Sequence, residues 1–341
     1  MKRSLAAVAV SAAATFLSVA AFAATVDQVK SRGFLVCGSN PGLPGFGLPD
    51  DKGNWTGFDI DFCRAVAATI FNDPNKVRFV PLTAKDRFTA LQSGEIDLLA
   101  RNTTWTQSRE VAQGFLFPAV TYYDGQGFMV RKKLGVDSAI KLDGASICVQ
   151  QGTTTELNLA DYFRTHNQKY EPVVFATADE AVKAYDSGRC DSFTTDGSQL
   201  VSERLKLGTP DDHIILPERI SKEPLGPTVR QGDDQWFNLV RWTAFAMLDA
   251  EELGVTSKNL DEKAKGTNPE IRRLLGAEGN YGSNLGLTQD WAYRIIKHVG
   301  NYGEVFDRNL GDGSRLKLPR GLNALYKPDS GVGIQYAPPI R

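Results

Sequence analysis

The sequence predicts an α/β protein of two lobes in series, each built on parallel strands with helices packed over them. Three observations carry this expectation. The chain has 341 residues, more than one hydrophobic core usually spans. Short apolar strands alternate with helical stretches, the grammar of parallel βα layers. That alternation runs once up to Arg131 and starts again at Ser146.

Ahead of the first lobe stands a targeting segment. Lys2 and Arg3 form a positive start, Leu5 to Val19 is an apolar run, and Ala21-Phe22-Ala23 is a small-residue cleavage site. A signal peptide over residues 1–23, cut after Ala23, is expected. The apolar run is too short for a bilayer span. No Cys stands at the cut, so a lipid anchor is not expected. Losing Lys2 and Arg3 leaves 37 basic against 40 acidic residues, which takes the formal charge from -1 to -3.

In the first lobe, Asp27 to Arg32 reads as a short helix and Phe34 to Gly38 as a strand. The loop Asn40 to Gly47 is rich in Gly and Pro, which block regular structure and let backbone approach a ligand. Phe58 to Phe71 is helical, with Ile60, Val66, Ala67 and Ile70 in register and Asp59 and Asp61 in the first turn, where the helix dipole favours acid. A strand Val77–Val80, a helix Lys85–Ser93 stopped by Gly94, and a strand Ile96–Ala100 follow. Past the first lobe, Gly127 to Arg131 is a further strand.

The second lobe repeats the pattern. Strands are expected at Ser146–Gln150, Val173–Phe175 and Cys190–Thr195, and helices at Glu156–Thr165, Ala178–Ser187 and Gln199–Leu207. Thr228 to Arg230 crosses back, and Asp234 to Leu253 is strongly helical. The tail from Gly254 to Arg341 is rich in Gly, Asn and Pro, with one good helix at Gln289–Val299.

Composition removes several function classes. A sequence pI of about 6.4 and no basic stripe give nucleic acid nothing to bind. The three histidines, His166, His213 and His298, lie far apart without metal spacing. No G-x-S-x-G, P-loop or HExxH motif occurs. Neither a metal nor a cofactor is expected, and an enzyme is the lesser alternative, of the dehydratase or murein-cleaving type that shares such folds.

Five motifs in order resemble the type II periplasmic binding proteins for polar amino acids. Gly57-Phe58-Asp59-Ile60-Asp61 looks like the family's G-F-D-[VI]-D segment. Ala90-Leu91-Gln92-Ser93-Gly94 with Asp97 is similar to its A-L-Q-x-G-x-x-D stretch. Thr104 through Arg109 lies in a T-x-T-x-x-R-like loop, Gln150 to Thr153 resembles a Q-x-G-T turn, and Gly188-Arg189-Cys190-Asp191 to Asp196 a G-R-x-D strand. The Pro41 to Phe46 loop, the Arg101 to Trp105 run and the long tail are similar to a general L-amino-acid-binding subgroup.

The resemblance implies a two-lobe fold with a two-crossing hinge near Tyr122–Gly127 and Pro224–Thr228. Lobe 1 is then 24–124 plus 228–253, lobe 2 is 125–227, and 254–341 is an extension packed on lobe 1. It also implies a ligand set. Arg109 grips a carboxylate with its planar fork, unless it is a surface or capping arginine. Thr153 and Thr154 open a helix whose N–H groups suit an anion, unless they form a plain cap. Asp196 pairs with an ammonium, unless it caps the next helix. Asn102 and Thr104 add polar contacts to ammonium and carboxylate.

Each lobe supplies half of this set, so a free L-amino acid favours the closed state. The expected partners are free L-amino acids and the membrane permease of an ABC transporter, with the protein a monomer in the periplasm. Where narrow members carry aromatic walls, this chain has Gly42-Leu43 and Ala84-Lys85, which points to broad specificity, with Trp105 a partial replacement or a core residue. Ser39 stands where some members carry an acid. Four cysteines allow three pairings, or four buried free thiols. One bridge inside each lobe, Cys37–Cys63 and Cys148–Cys190, is expected, because a bridge between lobes would lock the hinge.

Overall fold

The computed structural model describes residues 24–327 and 331–341; the signal peptide expected over residues 1–23 lies outside them. Lobe 1 starts with α1 (Thr25–Arg32), which ends at Gly33 in the left-handed conformation, φ 83°. Strand β1 (Leu35–Ser39), a ribbon of β2 (Leu48–Pro49) and β3 (Trp55–Thr56), and helix α2 (Phe58–Phe71) follow. Then come β4 (Val77–Pro81), α3 (Arg87–Ser93) and β5 (Leu98–Leu99). The sheet order is β4-β1-β5 and every pair is parallel. Strand β5 is shorter than its apolar run, because the Asp97 carboxylate takes the Val36 N–H at 2.8 Å beside it.

A short ribbon pairs β6 (Phe115–Leu116) with a late segment, and β7 (Tyr122–Asp124) leads into lobe 2. There β8 (Gln126–Arg131), β9 (Ser146–Gln150), α4 (Thr154–Thr165), β10 (Glu171–Phe175), α5 (Ala178–Asp186), β11 (Ser192–Asp196), α6 (Gly197–Arg204) and β12 (His213–Ile215) form a sheet of order β10-β9-β11-β8-β12. Its parallel core, β10-β9-β11, matches the expectation. Strands β8 and β12 do not: β8 runs antiparallel to both of its neighbours, since it enters directly from the hinge rather than through a crossover helix. The local signals hold at α5, where Thr177 and Glu180 close a capping box.

The chain returns through β13 (Glu223–Leu225), β14 (Val229–Arg230) and α7 (Asp234–Glu252). Strand β13 lies antiparallel to β7, pairing Tyr122 with Leu225 and Asp124 with Glu223, so the two crossings form one ribbon. They enter it very closely: a Cβ on Gly226 would stand 2.0 Å from the Ala119 carbonyl oxygen. Only glycine fits there.

The tail holds more order than its composition suggests. Besides the expected helix, here α11 (Trp291–His298), it forms α8 (Leu260–Ala264), α9 (Pro269–Leu274), α10 (Tyr281–Asn284) and α12 (Tyr302–Asn309). Trp291, Ile295, Ile296, Val305 and Phe306 share one apolar cluster with Phe58 and Phe62 of α2 and Trp236 and Val240 of α7. The tail also reaches the hinge. Asn323 accepts the Tyr123 N–H at 2.6 Å and donates to the Tyr123 carbonyl at 3.1 Å, and the Tyr302 hydroxyl donates to the Thr121 carbonyl at 2.8 Å. Side chains thus satisfy backbone of the crossing strand where a third strand would otherwise pair.

Both cysteine pairs are disulfides, Cys37–Cys63 and Cys148–Cys190, with Cα–Cα distances of 6.4 and 5.7 Å. Each ties a strand within its own lobe. No described helix is long and apolar enough to cross a membrane.

Candidate functional site

The loop after β5 carries Asn102 and Thr104, and a short helical turn, Ser108–Ala112, carries Arg109; facing them are the β9–α4 turn with Thr153 and Thr154, and Asp196 at the end of β11. The two groups meet. The Thr104 and Thr154 hydroxyl oxygens lie 3.3 Å apart, and the Asn102 amide donates to Gln199 Oε1 at 3.4 Å. Farther out, Ser202 Oγ donates to the Pro44 carbonyl at 2.9 Å and Lys206 Nζ to the Gly42 carbonyl at 2.8 Å. The lobes are closed on each other.

Arg109 is buried, which removes the surface reading. One guanidinium nitrogen donates to the Thr104 carbonyl at 2.7 Å, and the group lies 5.0 Å from the Phe88 ring centroid. Burial lowers its pKa to about 10, against the pull of Glu223 and Asp196, so it remains a cation at neutral pH. Asn102 has a left-handed backbone, φ 33°, a conformation that asparagine tolerates better than most residues. The Asp59 carboxylate holds it there by accepting its N–H at 2.7 Å.

Thr153 is a helix cap. Its hydroxyl donates to the Gln150 carbonyl at 2.8 Å and accepts from the Glu156 N–H at 3.2 Å, which leaves only its backbone N–H to donate to a ligand carboxylate. Asp196 is different. It stands at the N-cap position of α6, yet its side chain makes no capping bond. It is 5% exposed. Burial first, then Glu223 and Asp124, push its pKa well above the ordinary carboxylate range, while Arg87 and Arg109 pull the other way.

Two residues in the cleft were not anticipated from the sequence. Glu223, on hinge strand β13, accepts from Thr104 at 2.6 Å in lobe 1, and from Thr154 at 2.9 Å and Asn158 at 2.7 Å in lobe 2. No local pattern marks it, because a crossing strand has no periodicity of its own. Arg87 was legible: it shares the buried face of α3 with Ala90 and Leu91, an odd place for an arginine. Its Nε has no hydrogen-bond partner, and burial together with Arg109 and Arg101 lowers its pKa well below the usual arginine value. Trp105 is not a core residue; it is 36% exposed, stacked on Phe117 at 5.9 Å.

Arg87, Arg101 and Arg109 are thus buried beside Asp59, Asp196 and Glu223. Arg87 and Arg109 interact electrostatically with Asp196 and Glu223, and Arg101 with Asp59 and Asp196, without a close ion pair between them; burying such charges is costly unless they are paired. A cavity of about 320 Å³ opens from Arg109 past Lys85, Phe88, Thr106, Gln113 and Gly152 to solvent. Arg109 from one lobe and Thr153 and Thr154 from the other line this cavity, whereas Asn102, Thr104 and Asp196 do not. Such a fold and site define a two-lobed binding protein that encloses a small solute by hinge closure.

Residues 35–259 match the bacterial extracellular solute-binding proteins, family 3, and the chain belongs to that family. It is 61% identical to the general L-amino acid-binding periplasmic protein AapJ of Rhizobium johnstonii, over 100% of both chains. The glutamate/glutamine/aspartate/asparagine-binding protein BztA of Rhodobacter capsulatus is 55% identical, with 97% of each chain covered. Among solved structures, an ABC transporter periplasmic binding protein from Brucella ovis with glutathione bound matches with a TM-score of 0.91 and 59% identity, over 94% of this chain and 100% of that one. These relatives are binding proteins, and this chain is a binding protein rather than an enzyme.

Proposed function

We propose that the protein captures a free L-amino acid in the periplasm, closes over it, and delivers it to the permease of an ABC importer. Arg109 with the Thr154 N–H holds the carboxylate, Asp196 holds the ammonium, and Asn102 and Thr104 complete the contacts. The observation that carries this reading is Asp196: a deeply buried carboxylate at a helix start whose side chain makes no capping bond. A ligand ammonium would stabilise its ionised form. The family and the amino-acid-binding relatives support the same solute class.

Residues 1–23 act in this reading as a cleaved export signal. Lobe 1 comprises 24–124 and 228–253, lobe 2 comprises 125–227, and 254–341 is an extension on lobe 1. Specificity is broad, because Ala84 and Lys85 supply no aromatic wall. The open cavity beyond Arg109 supports a second reading, in which a longer solute such as glutathione, bound by the Brucella ovis neighbour, projects outward past Lys85 and Gln113.

A thermal-shift panel on ligand-stripped protein tests both, since a ligand bound only by the folded state raises the Tm. Shifts with many L-amino acids and none with D-enantiomers or sugars are expected. Shifts with glutathione alone would move the assignment to peptides, and no shift with any amino acid would sink it.

A further inference from the structure

Outside the solute cleft, the end of α6 in lobe 2 grips the backbone of lobe 1. Ser202 stands in the last turn of α6 and Lys206 two residues past its end. Neither lines the cavity at Arg109. Ser202 Oγ donates to the Pro44 carbonyl at 2.9 Å, and Lys206 Nζ to the Gly42 carbonyl at 2.8 Å. Within lobe 2, Glu203 at 2.6 Å and Asp179 at 2.8 Å hold the Lys206 ammonium in place.

The acceptors are fixed as well. Leu43 and Phe46 anchor the 40–47 loop in the core, each 1% exposed. Leu43 and Gly47 exchange backbone hydrogen bonds at 2.9 and 2.8 Å. The tail backs the loop so closely that a Cβ on Gly45 would stand 2.3 Å from the Leu316 side chain. The Gly42 and Pro44 carbonyls therefore keep their direction toward α6.

These contacts reach into the cleft. Asn40 donates to the Asn102 side-chain oxygen at 3.2 Å, Asn102 to Gln199 at 3.4 Å, and Gln199 to Glu203 at 3.2 Å. Glu203 holds Lys206, Lys206 holds Gly42, and the Gly42 N–H returns to Asn40 Oδ1 at 3.1 Å. The ring closes across both lobes and includes Asn102 of the proposed ligand set. Opening the lobes must break it at Lys206–Gly42 and at Asn102–Gln199.

We propose, resting on the closure around a solute described above, that Ser202 and Lys206 are positioning residues for capture. They form a latch that holds the closed state through lobe 1 backbone, whatever side chain the solute carries. Both acceptors are main-chain carbonyls, so no solute group takes part. A latch changes the fraction of chain in the binding-competent state, and apparent Kd scales with that fraction for every solute alike. Because it acts after encounter, its loss raises koff and leaves kon nearly unchanged.

Lys206→Met alone would leave the fully buried Glu203 carboxylate without its cation, so the test uses the double variant Glu203→Gln/Lys206→Met beside Ser202→Ala. Stopped-flow binding of L-alanine, L-glutamate and L-arginine to the ligand-stripped full chain is the first readout. In the double variant koff should rise about tenfold, and in Ser202→Ala about threefold, by the same factor for each amino acid. Lys206→Arg should keep part of the grip. Small-angle scattering of the unliganded chain should give the double variant a larger radius of gyration than the parent. Unchanged koff in both variants, or equal radii, overturns the latch. A parent that binds none of the three amino acids overturns the capture reading instead, and the scattering comparison then decides the latch by itself.

Discussion

Replacing Asp196 by asparagine should move ligand affinity and unliganded stability in opposite directions. The substitution keeps size and an oxygen acceptor but removes the charge. With ligand present, the lost partner is one half of a buried charge pair, for which truncation costs 2–5 kcal/mol or more. Asparagine retains a hydrogen-bond acceptor, so about 2–3 kcal/mol is expected, roughly a 30- to 150-fold rise in Kd.

Without ligand the sign reverses. Burial, Glu223 and Asp124 raise the Asp196 carboxyl well above its ordinary value. A carboxyl raised on folding favours the native state most below its unfolded pKa of about 3.9, and loses that contribution as pH climbs toward the folded value. The Asp196→Asn variant has no such loss. Its unliganded Tm should match or exceed that of the parent at neutral pH, with the gap opening as pH rises from about 4. Titration calorimetry reads the first effect and melting across pH the second. Unchanged affinity, or a variant less stable than the parent at neutral pH, would refute the assignment of Asp196 as an ammonium partner.

Three further outcomes follow from the geometry. Arg109→Ala should weaken amino-acid binding by ~2–5 kcal/mol, and Arg109→Lys should recover only part of it, because a point charge cannot grip two carboxylate oxygens; titration of both variants decides. Reduction of the disulfides, which close loops of 26 and 42 residues, should lower stability by about 3.5 and 4 kcal/mol in the chain-entropy model while leaving the order of ligand preference intact, as melting with and without reductant can read. Asn323→Ala strips two hydrogen bonds from half-buried hinge backbone. It should cost ~1–3 kcal/mol and speed hydrogen exchange at the Tyr123 amide, whereas unchanged exchange would mean that the tail does not brace the hinge.

Some elements were readable because their signals are local. Helix α2 runs from Phe58 to Phe71 as its periodicity predicts, bounded by Gly57 and by a left-handed Asn72. The α4 start was placed two residues late, at Glu156, because the threonine cap was read as loop. In the tail, glycine content outweighed signals that were present. Asn301 and Glu304 close a capping box on α12, and Pro269 follows the Asn268 cap of α9. Both are start patterns visible without coordinates.

The cleft divides along the same line. Arg109 and Asp196 stood in motifs that resemble a known family, and their chemistry follows from their residue types. Glu223 did not, for it meets Thr104 across 119 residues of chain, and Asn323 meets Tyr123 across 200. The sequence by itself determined the α/β alternation, the two-lobe order and the residues that carry opposite charge. Only the tertiary structure decided which of those charges lose water, which pair, and which do not. The reason is physical: helix and strand preferences depend on neighbours a few residues away, whereas desolvation and Coulomb energy depend on whatever atoms the folded chain brings within a few ångströms.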